Sequence, residues 1–199
     1  MGTFSLPTLP AALTWLRAPV RTAFAAQVLT IEAGALTDTF IDPRGAVDIA
    51  DAPVALFTPP DAAFVLQARV AVDFRAMYDA GVIFIHGDST HWAKLCFEFS
   101  PQDEPMVVSV VTRDSSDDCN SVVIDGREVY LRISRLGSAW AFHYSRDART
   151  WRLVRYFRAW PSETQVGFSA QSPRGQACTA RFTEILYRAG GIDDIRNGA

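Results

Sequence analysis

Polar and apolar residues alternate along most of this chain. In "FVLQARVAVDF", Phe64, Leu66, Ala68, Val70 and Val72 fall on one face, and Gln67, Arg69 and Asp73 on the other. "HWAKLCFEF" puts Leu95, Phe97 and Phe99 on one side and Trp92, Lys94 and Glu98 opposite. "EVYLRISR" alternates Val129, Leu131 and Ile133 with Tyr130, Arg132 and Ser134, and "ACTARFTEILYR" closes in the same style. A period of two is that of a strand with one face against a core. Turn-forming stretches ("HGDST", "PQDEP", "RLGS", "SRDAR", "SPRG") separate the runs. Helical periodicity is absent beyond a turn near "DFRAMYDAG". About a dozen strands joined by hairpins predict an all-β fold of two antiparallel sheets around one core. No linker or internal repeat divides the 199 residues, so one domain over 1–199 is expected, with a loose tail after Ala189.

Composition narrows the partners. The chain is 49% hydrophobic and 21% charged, with a net charge of −3. Its arginines are scattered among apolar residues, unlike the clustered basic surface of a nucleic-acid binder, so no nucleic acid is expected. Cys96, Cys119 and Cys178 form no C-x-x-C pair and are too few for a disulfide framework. Free thiols in a reducing compartment follow. The start, "MGTFSLPTLPAALTWLRAPV", lacks a basic residue before its apolar stretch, and no later run approaches a membrane span. A cytoplasmic location without membrane contact is expected, and nothing in the pattern selects an oligomeric state.

One motif stands out. "YSRDARTW", residues 144 to 151, is close to the Asp-box Ser-x-Asp-x-Gly-x-Thr-Trp known from sialidases. Asp147 is placed to accept hydrogen bonds from turn amides, with Trp151 packed beneath the loop beside Tyr144 and Phe142. Arg149 stands where the motif has glycine, so that position must tolerate positive φ or the turn must differ. A single copy in a chain without repeats predicts a structural hairpin rather than sialic acid chemistry.

The stretch "EVYLRISRLGSAWAFHYSRDARTWRLVRYF", with "TQVGFSAQSP" and "ARFTEI" beyond it, resembles the final hairpins of concanavalin A-like jelly rolls. Upstream, "DAPVALF", "FVLQARVAVDFRAMYDAGVIF", "HWAKLCFEF" and "VVSVVTRDSSDD" resemble one branch of that superfamily, the DUF1349 or regulation-of-enolase (YesU-like) family, over about residues 12–188. The resemblance implies a concanavalin A-like lectin/glucanase sandwich in which one sheet offers a concave face. It implies no defined activity. "SSDDCNS" departs from the Ser-Asp-Trp-Ser expected there, so no ligand role is carried over to that loop.

A glucanase of this fold needs a row of carboxylates on one strand, the retaining pair standing roughly 5–5.5 Å apart. No such row occurs: Glu98 has Cys96 and Lys94 as same-face neighbours. What remains is a polar strip. "HWAKLCFEF" and "MVVSVVTR" are joined by a short loop and should pair, so Trp92, Lys94 and Glu98 are expected to share a face with Ser109 and Arg113, with His86 added from the preceding strand. Lys94 and Glu98 suit sugar hydroxyls and Trp92 suits stacking on a pyranose. The alternative is a solvated sheet with weak cross-strand ion pairs.

His86 and His91 flank "HGDSTH" without a third strong metal ligand, and His143 should alternate outward opposite Tyr130. "RDSSDDCN", 113 to 120, lacks the order of a calcium loop and reads as a solvated loop. No metal or cofactor is expected. "TDTFIDPRG", with Asp38 and Asp42, is either an overhang at the groove's mouth or a polar edge strand. The expected function is a carbohydrate-binding or interaction module with a saccharide ligand on the concave face. The alternatives are a carbohydrate-active enzyme using Glu98 and a regulatory protein-binding domain.

Overall fold

Alternation becomes sheet throughout. The computed structural model describes residues 2–158, 160 and 163–199. In chain order the strands are β1 (Thr3–Phe4), β2 (Leu13–Arg17), β3 (Arg21–Ala25), β4 (Val28–Ala33), β5 (Thr39–Ile41), β6 (Asp48–Ala50), β7 (Val54–Phe57) and β8 (Ala63–Val72). There follow β9 (Ala80–His86), β10 (His91–Phe99), β11 (Pro105–Arg113), β12 (Ser115–Val123), β13 (Glu128–Leu136), β14 (Ala139–Ser145), β15 (Arg152–Arg158), β16 (Gln165–Gln171) and β17 (Cys178–Ala189). No helix occurs among the described residues. "DFRAMYDAG" is a turn closed by the buried Asp79, whose carboxylate accepts the Arg75 and Ala76 amides at 2.9 Å each and the Ser172 hydroxyl at 2.7 Å.

The larger sheet has the order β1-β2-β7-β16-β9-β10-β11-β12 and the smaller β15-β14-β13-β8-β17-β4-β3, all pairs antiparallel. They pack face to face as a jelly-roll sandwich. Between them lie Phe64, Leu66, Ala68, Val70 and Val72 of β8, Ile83 and Ile85 of β9, Leu95 and Phe97 of β10, and Phe168 and Phe182. Burying each large side chain contributes about 1.5–3 kcal/mol, the main stabilising term. At one point the strands close up on a missing side chain: a β-carbon on Gly167 would stand 1.9 Å from the Ala55 carbonyl oxygen, so only glycine lets β16 lie against β7.

Both outer faces are partly covered. On the larger sheet, Val54, Leu56, Val82, Phe84, Trp92, Cys96, Val108 and Val110 form a second apolar layer, against which the β5–β6 hairpin lays Phe40 and Ile41. On the smaller sheet, Val65 and Ala141 are covered by Ile192, with Ile195 alongside. The expected loose tail is therefore docked: the Ile195 carbonyl lies 2.8 Å from His143 Nε2, and the Gly198 carbonyl accepts from Arg132 at 2.7 Å. Two apolar residues in the tail supply the reason, because they fill the outer face that β8 and β14 leave bare. The stretch 113–120 is likewise not a loop. Most of it is the edge strand β12, which pairs with β11 from Ser115 onward. All three cysteines are free, Cys96 and Cys178 buried and Cys119 exposed.

Candidate functional site

Hairpin register decides what the polar strip contains. In β10–β11, Trp92 faces Thr112, Lys94 faces Val110 and Glu98 faces Met106, while Leu95 faces Ser109 and His91 faces Arg113. Even-numbered residues thus share the outer face, and odd-numbered ones share the face of Leu95 and Phe97. Ser109 and Arg113 are on the wrong side for the expected strip. Ser109 is buried toward the core with its hydroxyl unpartnered among the described residues, and Arg113 reaches the Arg158 carbonyl at 2.6 Å. A shift of one residue moves a side chain to the opposite face, and the expected phase was off by one.

Trp92 is on the outer face but cannot stack on a ligand. It is 2% exposed, with its ring on Phe84 at 5.8 Å between centroids. His86, opposite Trp92 on β9, is on the same face but does not line the cavity. Burial, and then the charge of Arg17, lower its pKa, favouring the neutral ring. His143 pairs with Arg132, not Tyr130, and is buried.

Lys94 and Glu98 do come together. Both line a cavity of about 470 Å³ on the outer face of the larger sheet, roofed by the segment that carries β5 and β6. Lys94 is buried; its Nζ lies 3.0 Å from Gln171 Oε1 and 3.3 Å from Asp38 Oδ1. Burial works against the ammonium, but the Asp38 charge foremost, with Cys96 and Glu98 behind it, outweighs it and holds its pKa above the usual lysine value. Lys94 is therefore a pin that ties the overhanging segment to the sheet. The segment is also held where the Ile41 amide meets Ser116 Oγ at 3.0 Å and where Arg17 Nε meets the Ala52 carbonyl at 2.7 Å. Asp38 and Asp42 do overhang the cavity.

Glu98 sits half-buried on the floor. Desolvation raises its carboxyl to about 8, with Lys94 opposing and the acids Asp118 and Asp38 adding to the rise. It holds its proton at neutral pH. Asp118, across Val110 from Lys94, is raised by desolvation in the same way. Sequence reasoning missed Asp118, Asn120, Gln171, Tyr78, Ser100 and Arg174, which complete the polar lining. For Asp118 and Asn120 the signal was available: once β12 is a strand, they share the outer face with Lys94. Gln171 and Tyr78 come from distant segments, and Gln171 is oriented by donating to the Tyr78 carbonyl at 3.3 Å.

The Asp-box lies elsewhere, at the β14–β15 turn. Asp147 accepts the Arg149 and Thr150 amides at 2.9 and 2.8 Å and the Ser145 hydroxyl at 2.9 Å. Positive φ falls on Ala148 (58°), one residue before the expected position. Trp151 is buried, but not beside Tyr144 and Phe142: it stacks under the Arg132 guanidinium, 3.5 Å from the ring centroid, against Gly198 of the tail. Its place on the outer layer follows from the tail's docking.

Comparison with known proteins adds the family. The family described as "Protein of unknown function (DUF1349)" matches residues 15–189. "Regulation of enolase protein 1" of Saccharomyces cerevisiae is 31% identical over 126 residues, 61% of this chain and 62% of that protein, so the matched stretch spans about three-fifths of this relative. The crystal structure of a functionally unknown Saccharomyces cerevisiae protein has a TM-score of 0.82 at 27% identity, covering 89% of this chain and 96% of that one. The GH43 protein BlXynB of Bacillus licheniformis shares the fold with a TM-score of 0.72 at 15% identity, covering 88% of this chain and 36% of that one.

Proposed function

Because the chain belongs to the DUF1349 family, described only as of unknown function, its activity has to be read from its own cavity, and we propose that it is a module binding a neutral saccharide there. The carrying observation is Glu98, a carboxyl that stays protonated to about pH 8 on the floor of a cavity of ligand size. A protonated carboxyl both donates and accepts, which matches a sugar hydroxyl. Asn120 and Asp118 add donors and acceptors at the rim, while Phe40, Met106 and Val110 supply an apolar wall for the C–H face of a ring. Lys94 acts indirectly, by holding the roof.

The test is a heteronuclear NMR titration with a panel of mono- and oligosaccharides. Saturable shifts should centre on Glu98, Asp118 and Asn120. Asp118→Ala should weaken binding about tenfold, the equivalent of about 1.4 kcal/mol. Glu98→Gln mimics the protonated acid and should keep affinity at pH 7 while removing its loss above pH 8. Trp92→Phe should leave affinity unchanged. Shifts confined to other faces, or no saturable shift with any saccharide, would sink the reading.

A second reading rests on the same carboxyl. A proton held to about pH 8 suits a general acid for glycosidic cleavage. Product formation from a saccharide, abolished in Glu98→Gln with binding intact, would establish the enzyme.

A further inference from the structure

A second cleft, of about 690 Å³, opens where the ends of the two sheets meet. His91 and Arg113 reach it from the ends of β10 and β11, Arg135 from β13, and Arg158 with Trp160 from the end of β15 and just beyond. The chain as a whole carries a net charge of −3. Yet the cleft lining holds three guanidiniums and an imidazole, and no carboxylate. The nearby acids are engaged or outside. Asp88 takes the Thr90 and His91 amides at 2.8 Å each and contacts His91 Nδ1 at 3.0 Å. Asp114 and Glu163, neighbours in sequence of Arg113 and Thr164, do not line the cleft.

Neutral acceptors hold two of the three arginines in place without neutralising them. Arg113 donates to the Arg158 carbonyl at 2.6 Å and Arg135 to Thr164 Oγ1 at 2.9 Å. The Arg135 guanidinium also sits over the Trp140 ring, 5.7 Å from its centroid. Positioned guanidiniums without an ionic partner are the usual receptor for oxyanions. An independent observation points the same way. Trp160 is 6% exposed and lines the cleft, and its indole N–H has no acceptor among the described residues. Buried donors are normally satisfied, so this one is short of an acceptor.

We infer that this cleft binds an oxyanion, whether phosphate, sulfate or carboxylate, borne on a small organic ring such as an acidic sugar. Arg113 and Arg158 meet the charge, the Trp160 N–H supplies a further donor, and the half-buried Phe157 gives the ring an apolar wall. The site shares no residue with the cavity around Glu98, so either can fail without the other.

The test uses the full chain with [15N]tryptophan, the Trp160 indole resonance being assigned by its loss in Trp160→Phe. Glucose 6-phosphate and glucuronate should each move that resonance saturably, and the dissociation constants should rise at least about fivefold in Arg113→Ala and in Arg158→Ala. Both arginines are exposed, and one-dimensional spectra check that the variants fold. Neutral glucose should leave the resonance in place. If glucose moves it as strongly, if no acidic titrant saturates, or if both arginine variants bind as the parent does, the oxyanion site is overturned. Inorganic phosphate tests the ring: an affinity equal to that of glucose 6-phosphate overturns the ring contribution.

Discussion

Each outer face of the sandwich covers a cation, Lys94 fully and Arg132 by about half, and the two are treated differently. On the larger sheet, Lys94 meets Asp38, and surrounding acids keep its pKa above the usual lysine value despite burial. On the smaller sheet, Arg132 meets Gln67 Oε1, the Gly198 carbonyl and the Trp151 ring, but no carboxylate among the described residues. Burial, and then the charge of Arg188, lower its pKa to about 10. Around Lys94 the cover leaves a cavity with titratable walls; around Arg132 the tail closes onto neutral groups. Around Lys94 the cover stands off the sheet, and around Arg132 it lies directly on it. Lys94 is neutralised by its carboxylates and holds the roof of the cavity, whereas Arg132, between carbonyl oxygens and a ring, holds the tail.

The contrast breaks most visibly at Trp151. If the smaller sheet's face is a seal, Trp151→Ala should cost about 3–5 kcal/mol in denaturant unfolding and leave saccharide affinity unchanged. A selective loss of binding by a folded Trp151→Ala protein would erase the distinction. Next comes the pin. Lys94→Met keeps the bulk and removes the charge, leaving Asp38 partly exposed to water; about 1–3 kcal/mol is expected, less than for a fully buried pair. Amide exchange should rise across residues 38–50 and stay unchanged across 190–199.

A pH-dependent effect follows from Glu98. Its carboxyl titrates near 4.5 when unfolded and about 8 when folded, so between those values the folded chain holds a proton the unfolded chain releases. Stability should fall as pH rises through that window, by at most about 1.4 kcal/mol per pH unit. Glu98→Gln should flatten the slope; an unchanged slope would place the titration elsewhere. The smallest effect is at Asp147, whose four turn hydrogen bonds, the Thr150 amide foremost, hold its carboxyl down to about 2. Its contribution is present above about pH 3.8 and lost as pH falls toward 2, so Asp147→Asn should blunt acid unfolding in that range only. Melting curves at pH 2, 3 and 5 check it.

The sandwich itself was legible because alternation is written into each strand. Phe64, Leu66 and Val70 point inward on β8 for the same reason Leu131 and Ile133 do on β13. The site was half legible. Lys94 and Glu98 were found by parity on one strand, but Ser109 and Arg113 were assigned across a hairpin whose phase the strands alone do not state. Trp92 failed differently, because its face was right but nothing local shows that Phe84 and the second apolar layer bury it.

By itself the sequence determined which residues of a strand share a face, where strands break into turns, and that Asp147 would bind its own turn. These are short-range properties, set by the pleat and by side chains reaching amides two or three residues away. Only the tertiary structure decided which face is a cavity and which is a seal. That depends on Asp38 meeting Lys94 across 56 positions and His143 meeting Ile195 across 52. Such contacts form where topology brings distant segments together, and they leave no periodic trace in either segment.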